Sequence, residues 1–190
     1  ELFYQTPDSL IAPIMVYEIV SDNELLIAGS ILFSAFADEH IIPHTDYIRV
    51  TSLAKKGDRI YIYNNYNNTT AYYKDGILTT VLEDTIGPYL GVSPHHNDLY
   101  LLNREAQKIS RINPNSGTSL TVKLPQYTRQ IFPTNTWQLW SCGSVSGAYV
   151  YSDSLKPLYG GNKLFEDHFI SAVFEDHERN LYLGTFGNGI

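Results

Sequence analysis

The sequence predicts an all-β chain of repeated four-stranded units, the architecture of a partial β-propeller. Three observations carry that prediction. One short pattern, a polar residue before an apolar–aromatic–apolar triplet, recurs at intervals near 40 residues, the size of one four-stranded blade. Short apolar runs bounded by Gly, Pro, Asn and Asp occur throughout, and no window has the i, i+3, i+4, i+7 spacing of a long amphipathic helix. Fifteen Tyr and eight Phe against a single Met suit a pleated, half-buried surface.

The pattern is plainest in NLYLGT (180–185) and recurs in ELLIAG (24–29), RIYIYN (59–64), DLYLLN (98–103) and QLWSCG (138–143). Taking Leu26, Tyr61, Tyr100, Trp140 and Tyr182 as equivalent gives spacings of 35, 39, 40 and 42 residues. An apolar first strand precedes each copy, at 14–20, 48–53, 89–92, 129–132 and 169–174. Polar turns at 21–23, 55–58, 95–98, 134–136 and 176–180 link it to the triplet strand and carry the Asn, Asp and Gly that tight hairpins need. Third strands are expected at 71–73, 108–112 and 148–151, and turns such as 74–76 and 113–117, each ending in Gly, lead to a fourth.

This grammar predicts about four four-stranded blades at 14–45, 46–88, 89–127 and 128–165, plus two part-blades at 1–13 and 166–190, all in one propeller spanning 1–190. An immunoglobulin-like sandwich is the structural rival, but it would not repeat one pattern five times. The fifth copy stops after two strands, Leu2-Phe3-Tyr4 reads as one strand before the first copy, and there is no initiator Met. The chain is therefore expected to be a piece of something longer. Its ends could close a five-bladed ring or dock onto further blades, and the second is favoured because incomplete edges are a liability.

The formal charge of −7, from 20 acidic and 13 basic side chains, with no basic cluster longer than Lys55-Lys56, excludes a basic stripe for phosphates. Nucleic acid is not an expected partner. Cys142 stands alone and can form no internal disulfide. No run approaches the eighteen or so apolar residues of a spanning helix, so no membrane contact by this segment is expected.

The stretch 173–190, VFEDHERNLYLGTFGNGI, resembles the two-component regulator propeller repeat. That pattern runs as an apolar strand, Glu-Asp, a Gly-Asn turn, Leu-Trp-Ile-Gly-Thr and Gly-Gly-Leu. Glu175, Asp176, Asn180, Leu181, Leu183, Gly184, Thr185, Gly187 and Gly189 match it, Tyr182 replaces the Trp, and Arg179 stands where a Gly is usual. The resemblance implies the periplasmic sensor region of a Bacteroides-type hybrid two-component system, an inner-membrane protein with a cytoplasmic histidine kinase. It also implies that breakdown products of complex polysaccharides are the signal.

Several motifs invite chemistry and are better read as structure. A phosphate loop at 184–189 would need a following helix N-terminus; Gly187 and Gly189 instead suit positive φ at a turn. His95, His96 and His177 are read as exposed turn histidines and do not make the three or four converging ligands of zinc. Asp22, Asp58, Asp98 and Asp176 recur at one turn, which marks hairpin hydrogen bonding and not paired-carboxylate catalysis. No Gly-x-Ser-x-Gly elbow exists, since 143–147 reads GSVSG. No catalytic residue, metal site or cofactor is expected, and Cys142 is expected to be a buried thiol.

Binding is expected on one rim, built from the loops between second and third strands and those entering the next blade. Asn64, Asn65, Tyr66, Asn103, Arg104, Glu105 and Asn188 belong to the first set, with Ser144 beside them. Asp167 and His168 belong to the second, with His44 and Asp46. With Trp137 added, these supply the planar apolar faces and the amide, carboxylate and guanidinium groups that a sugar requires. The expected function is an extracytoplasmic ligand-sensing segment, noncatalytic in itself, whose partners are an oligosaccharide or other small ligand, further blades, the neighbouring ectodomain and a second copy in a homodimer. A scaffold or dimerisation propeller is the alternative, and a propeller lyase or hydrolase stands behind it.

Overall fold

The computed structural model describes residues 16–28, 32–36, 38, 41–45, 50–83, 89–125, 128–143 and 146–187. Among these, seventeen strands form five antiparallel sheets, and a single 3-10 turn is the only helical element. The fold is all-β, as the repeat predicts.

The first sheet runs β1 (Val16–Ser21), β2 (Glu24–Ala28), β3 (Leu32–Phe36) and β4 (Ile41–Thr45), and the second runs β5 (Val50–Lys56), β6 (Arg59–Asn64), β7 (Thr69–Lys74) and β8 (Ile77–Leu82). The third comprises β9 (Tyr89–Val92), β10 (Leu99–Asn103), β11 (Lys108–Ile112) and β12 (Ser119–Lys123). In each, spatial order equals chain order, so every connection is a hairpin. The proposed N-terminal part-blade, 1–13, lies outside the described residues.

The fourth sheet departs from the expected four strands. It holds β13 (Thr128–Pro133), β14 (Gln138–Gly143) and β15 (Ala148–Ser152). In place of a fourth strand, the chain makes two isolated bridges, Tyr151 with Pro157 and Ala148 with Leu164, around a 3-10 turn at Tyr159–Gly161. The cause is local: Pro157 has no N–H to donate to a ladder, and Tyr159, Gly160 and Gly161 all take positive φ, which no regular strand accommodates. The fifth sheet is the hairpin β16 (Ile170–Glu175) and β17 (Leu181–Thr185).

Chain contacts divide the molecule into two compact units, Glu1–Leu90 and Gly91–Ile190. The first has a core of Leu26, Ala28, Leu32, Val50, Ile60, Ile62 and Tyr73. In the second, Trp140, Cys142, Ala148, Val150 and Ile170 form a cluster completed by Phe132, Leu164, Val173, Leu181 and Leu183 from the fourth and fifth sheets. The repeat explains these cores. The equivalent residues Leu26, Tyr61, Tyr100 and Trp140 are all buried, whereas Tyr182 remains 45% exposed. Cys142 sits within the second cluster, and burial pushes its thiol up to about 12, so no thiolate is available for chemistry.

Candidate functional site

Side chains with chemical potential collect at opposite ends of the sheets. At the end carrying the loops between second and third strands, the amides close their own turns. Asn64 Oδ1 accepts from Tyr66 N–H at 3.0 Å and Asn103 Oδ1 from Ala106 N–H at 2.8 Å. Asn65 is half-buried, and Tyr66 and Glu105 are exposed. Arg104 Nε donates to the Arg129 carbonyl at 2.8 Å, and Gln107 Oε1 accepts from Thr128 N–H at 3.0 Å, so this loop is tied to the start of β13. Exposed Asp167 and His168 come to the same end of the fourth sheet, where Gly147 N–H donates to the His168 carbonyl at 2.7 Å. Asn188, Ser144 and Asp46 lie outside the described residues.

Within the second unit, Trp137 lies apart from Asp167 and His168. It sits in the β13–β14 turn, at the other end of the sheet, with φ of +63°. A bulky side chain in the left-handed region is a genuine outlier, and it costs on the order of 1–3 kcal/mol. Burial does not offset that cost, because the residue is 48% exposed. The indole lies on the His95 ring, with centroids 3.7 Å apart and planes 3° from parallel, and His96 meets it edge-on at 5.2 Å.

A polar network joins this aromatic group to the third sheet. Asp153 N–H donates to the Trp137 carbonyl at 3.0 Å, and its carboxylate Oδ2 lies 3.2 Å from His96 Nε2. Arg111 Nε donates to Asp98 Oδ2 at 2.6 Å and Arg111 Nη1 to the Asp153 carbonyl at 2.9 Å. Asn113 Nδ2 donates to Asp98 Oδ1 at 2.9 Å, and Tyr100 OH to the Asp153 carbonyl at 3.1 Å. Burial, the largest cause, raises the Tyr100 pKa, so its hydroxyl stays protonated as a donor. Asp98, Arg111, Asn113, Thr118, Ser119 and Leu120 line a cleft of about 320 Å³. His95 Nε2 is buried without a hydrogen-bond partner.

Sequence reasoning placed His95 and His96 in exposed turns, yet both are half-buried and engaged; His177 alone of the three is exposed. The recurrent turn carboxylates also divide. Asp176 closes its hairpin, accepting from Glu178 N–H at 2.9 Å and Asn180 N–H at 2.8 Å. Asp98 is buried and bonds side chains of and just beyond β11 instead. Trp137's partners were invisible in sequence, because the rings that meet it lie about 40 residues away in another repeat.

A second cluster in the first unit was also missed. Ser34 Oγ donates to Glu24 Oε1 at 2.6 Å and lies 2.8 Å from His44 Nε2, while Tyr73 OH also donates to Glu24. Hydroxyl, imidazole and carboxylate together suggest nucleophilic chemistry, but the wiring opposes it. Both hydroxyl protons go to the carboxylate, which can only accept, so His44 Nε2 must donate to Ser34 and cannot act as its base. Ser34 is fully buried besides. Burial lowers the His44 pKa, partly opposed by Glu24, while burial and the Glu24 bond push Tyr73 up to about 12. Among the described residues, no group of three or more His, Cys, Asp or Glu could hold a metal ion.

No protein-family model matches the sequence, and no curated protein does. Solved structures do match. An extracellular domain of the hybrid two-component system BT4673 from B. thetaiotaomicron is similar over 90% of this chain and 25% of its own, with a TM-score of 0.63 and 18% identity. Hydrazine synthase of Kuenenia stuttgartiensis, a β-propeller protein, is similar over 99% of this chain and 60% of its own, with a TM-score of 0.70 and 12% identity. The fold is that of a β-propeller. BamB from Moraxella catarrhalis is another propeller match, at a TM-score of 0.66 and 9% identity, over 90% of this chain and 55% of its own. The chain thus spans about a quarter of the BT4673 extracellular domain. A sensor domain and an enzyme share this propeller fold, so function must be argued from the site.

Proposed function

We propose that the chain is an extracytoplasmic, ligand-sensing propeller segment of a membrane-anchored hybrid two-component sensor, without catalysis of its own. The observation that carries this reading is the coincidence of two likenesses. The fold is similar to the BT4673 extracellular domain, and residues 173–190 carry the regulator-type repeat motif. The five sheets belong to one propeller on this reading, further blades and the neighbouring ectodomain complete it, and the compartment is the periplasm. Oligosaccharides from polysaccharide breakdown are the signal, and a ligand acts by differing in affinity between two arrangements of propellers or protomers.

The buried, reversed Ser34–His44–Glu24 wiring supports the noncatalytic part. Calorimetry of the chain against an oligosaccharide panel tests the binding part. Saturable heat from at least one sugar is expected, and silence across the panel contradicts it. A scaffold reading is favoured by one observation only, the exposed aromatic face of the fifth sheet, where Phe174, Tyr182 and Phe186 are all uncovered. Sedimentation with and without sugar separates the two readings: a scaffold self-associates to the same extent in both, whereas a sensor changes its assembly or its shape when sugar is added.

A further inference from the structure

We infer that the turn end of the third and fourth sheets, around Trp137 and Arg111, is a binding site for a neutral oligosaccharide. This assigns a location and a chemical class to the ligand, and it rests on the sensor reading above. Two costs coincide at this place. Trp137 holds positive φ without the burial that usually accompanies a large aromatic, and the ring stacked on it, His95, keeps a buried nitrogen without a partner. Tyr159 and Phe165 are also exposed aromatics at positive φ; what sets Trp137 apart is the unpartnered buried nitrogen of the ring stacked on it, and strain and unpaired polar atoms gather at functional sites. The indole is moreover preset. His95 stacks on it, His96 meets it edge-on, and Asp153 N–H fixes its carbonyl, so little ordering entropy remains to oppose ligand stacking.

The surrounding charge selects the ligand. Asp98 and Asp153 share the one guanidinium of Arg111, leaving a formal charge of one negative, which repels uronates and sulfated sugars. A cation finds no unshared carboxylate: Asp98 is bonded at both oxygens, and Asp153 Oδ2 serves His96 and Arg111. A neutral pyranose suits what remains, with its apolar face on the indole and its hydroxyls to mixed donors and acceptors. Arg111 links the Trp137 turn, through Asp153, to the cleft of about 320 Å³ that Asn113 and Thr118 help line. That volume lies at the lower end for small-molecule sites, which favours a short oligosaccharide.

Indole fluorescence titration with neutral and uronate-containing oligosaccharides tests the site, because the second indole, Trp140, is only 4% exposed. A saturable change with at least one neutral series and none with uronates is expected. Trp137→Ala and Trp137→Gly should each weaken the binding at least tenfold by calorimetry, and Trp137→Tyr should retain part of it. Gly suits the positive φ, so a folded variant is secured, with circular dichroism as the control. Preference for uronates, or neutral-sugar binding unchanged in both variants, overturns the site while leaving the sensor reading intact. Absence of binding to any sugar overturns both.

Discussion

At the residue scale, Ser34 shows how a polar group can lie fully buried. Its hydroxyl links Glu24, His44 and Tyr73 across the first two sheets. Ser34→Ala removes the acceptor of His44 Nε2, while Glu24 keeps the Tyr73 donor, and a buried group so orphaned costs about 1–3 kcal/mol. Urea unfolding should show a loss of about that size. His44 adds a pH dependence whose sign follows from its lowered pKa. The unfolded chain takes up the proton first, so stability rises with pH through the interval between the lowered folded value and about 6.5 and is lost as pH falls through it. The urea midpoint should drop on acidification from pH 7.5 to 5.5, and His44→Gln, which keeps an amide donor, should flatten that drop. Arg179, standing where the repeat favours Gly, takes φ of +69°. Arg179→Gly should stabilise by about 0.5 kcal/mol, the relief of left-handed strain exceeding the added chain entropy.

At the element scale, Gly147 decides how the fourth sheet ends. Its φ is +90°, and a Cβ there would sit 2.8 Å from Lys163 and 2.9 Å from the Leu164 carbonyl, which is backbone and cannot yield cheaply. Gly147→Ala should therefore destabilise by about 2 kcal/mol or more, read from thermal unfolding. Strands were legible wherever hairpin chemistry and apolar alternation agreed: β9 and β11 run over 89–92 and 108–112, as the sequence predicts. The missing fourth strand was not, because Pro157 and the run of positive φ at 159–161 override the repeat's period. The turns at 74–76 and 113–117 lie where the sequence expects them, and the Gly that ends each takes positive φ, +79° and +69°.

At the scale of the whole molecule, the repeat made the fold readable while the site was only partly so. Leu26, Tyr61, Tyr100 and Trp140 mark equivalent buried positions, and a period of about 40 residues can only be satisfied by stacking sheet on sheet. The loop amides at Asn64 and Asn103 were visible as polar turns, but sequence cannot tell an Asx bond closing its own turn from one free for a ligand. The Trp137 cluster joins residues from two repeats, and such convergence is a property of stacking alone. On the reading proposed above, this propeller segment binds a neutral oligosaccharide at the Trp137 turn. Calorimetric titration of the chain with neutral oligosaccharides, beside Trp137→Gly, tests it most directly. Saturable heat is expected from the wild-type chain and at least a tenfold weaker affinity from the variant; no heat from the folded wild-type chain across the series overturns sugar binding.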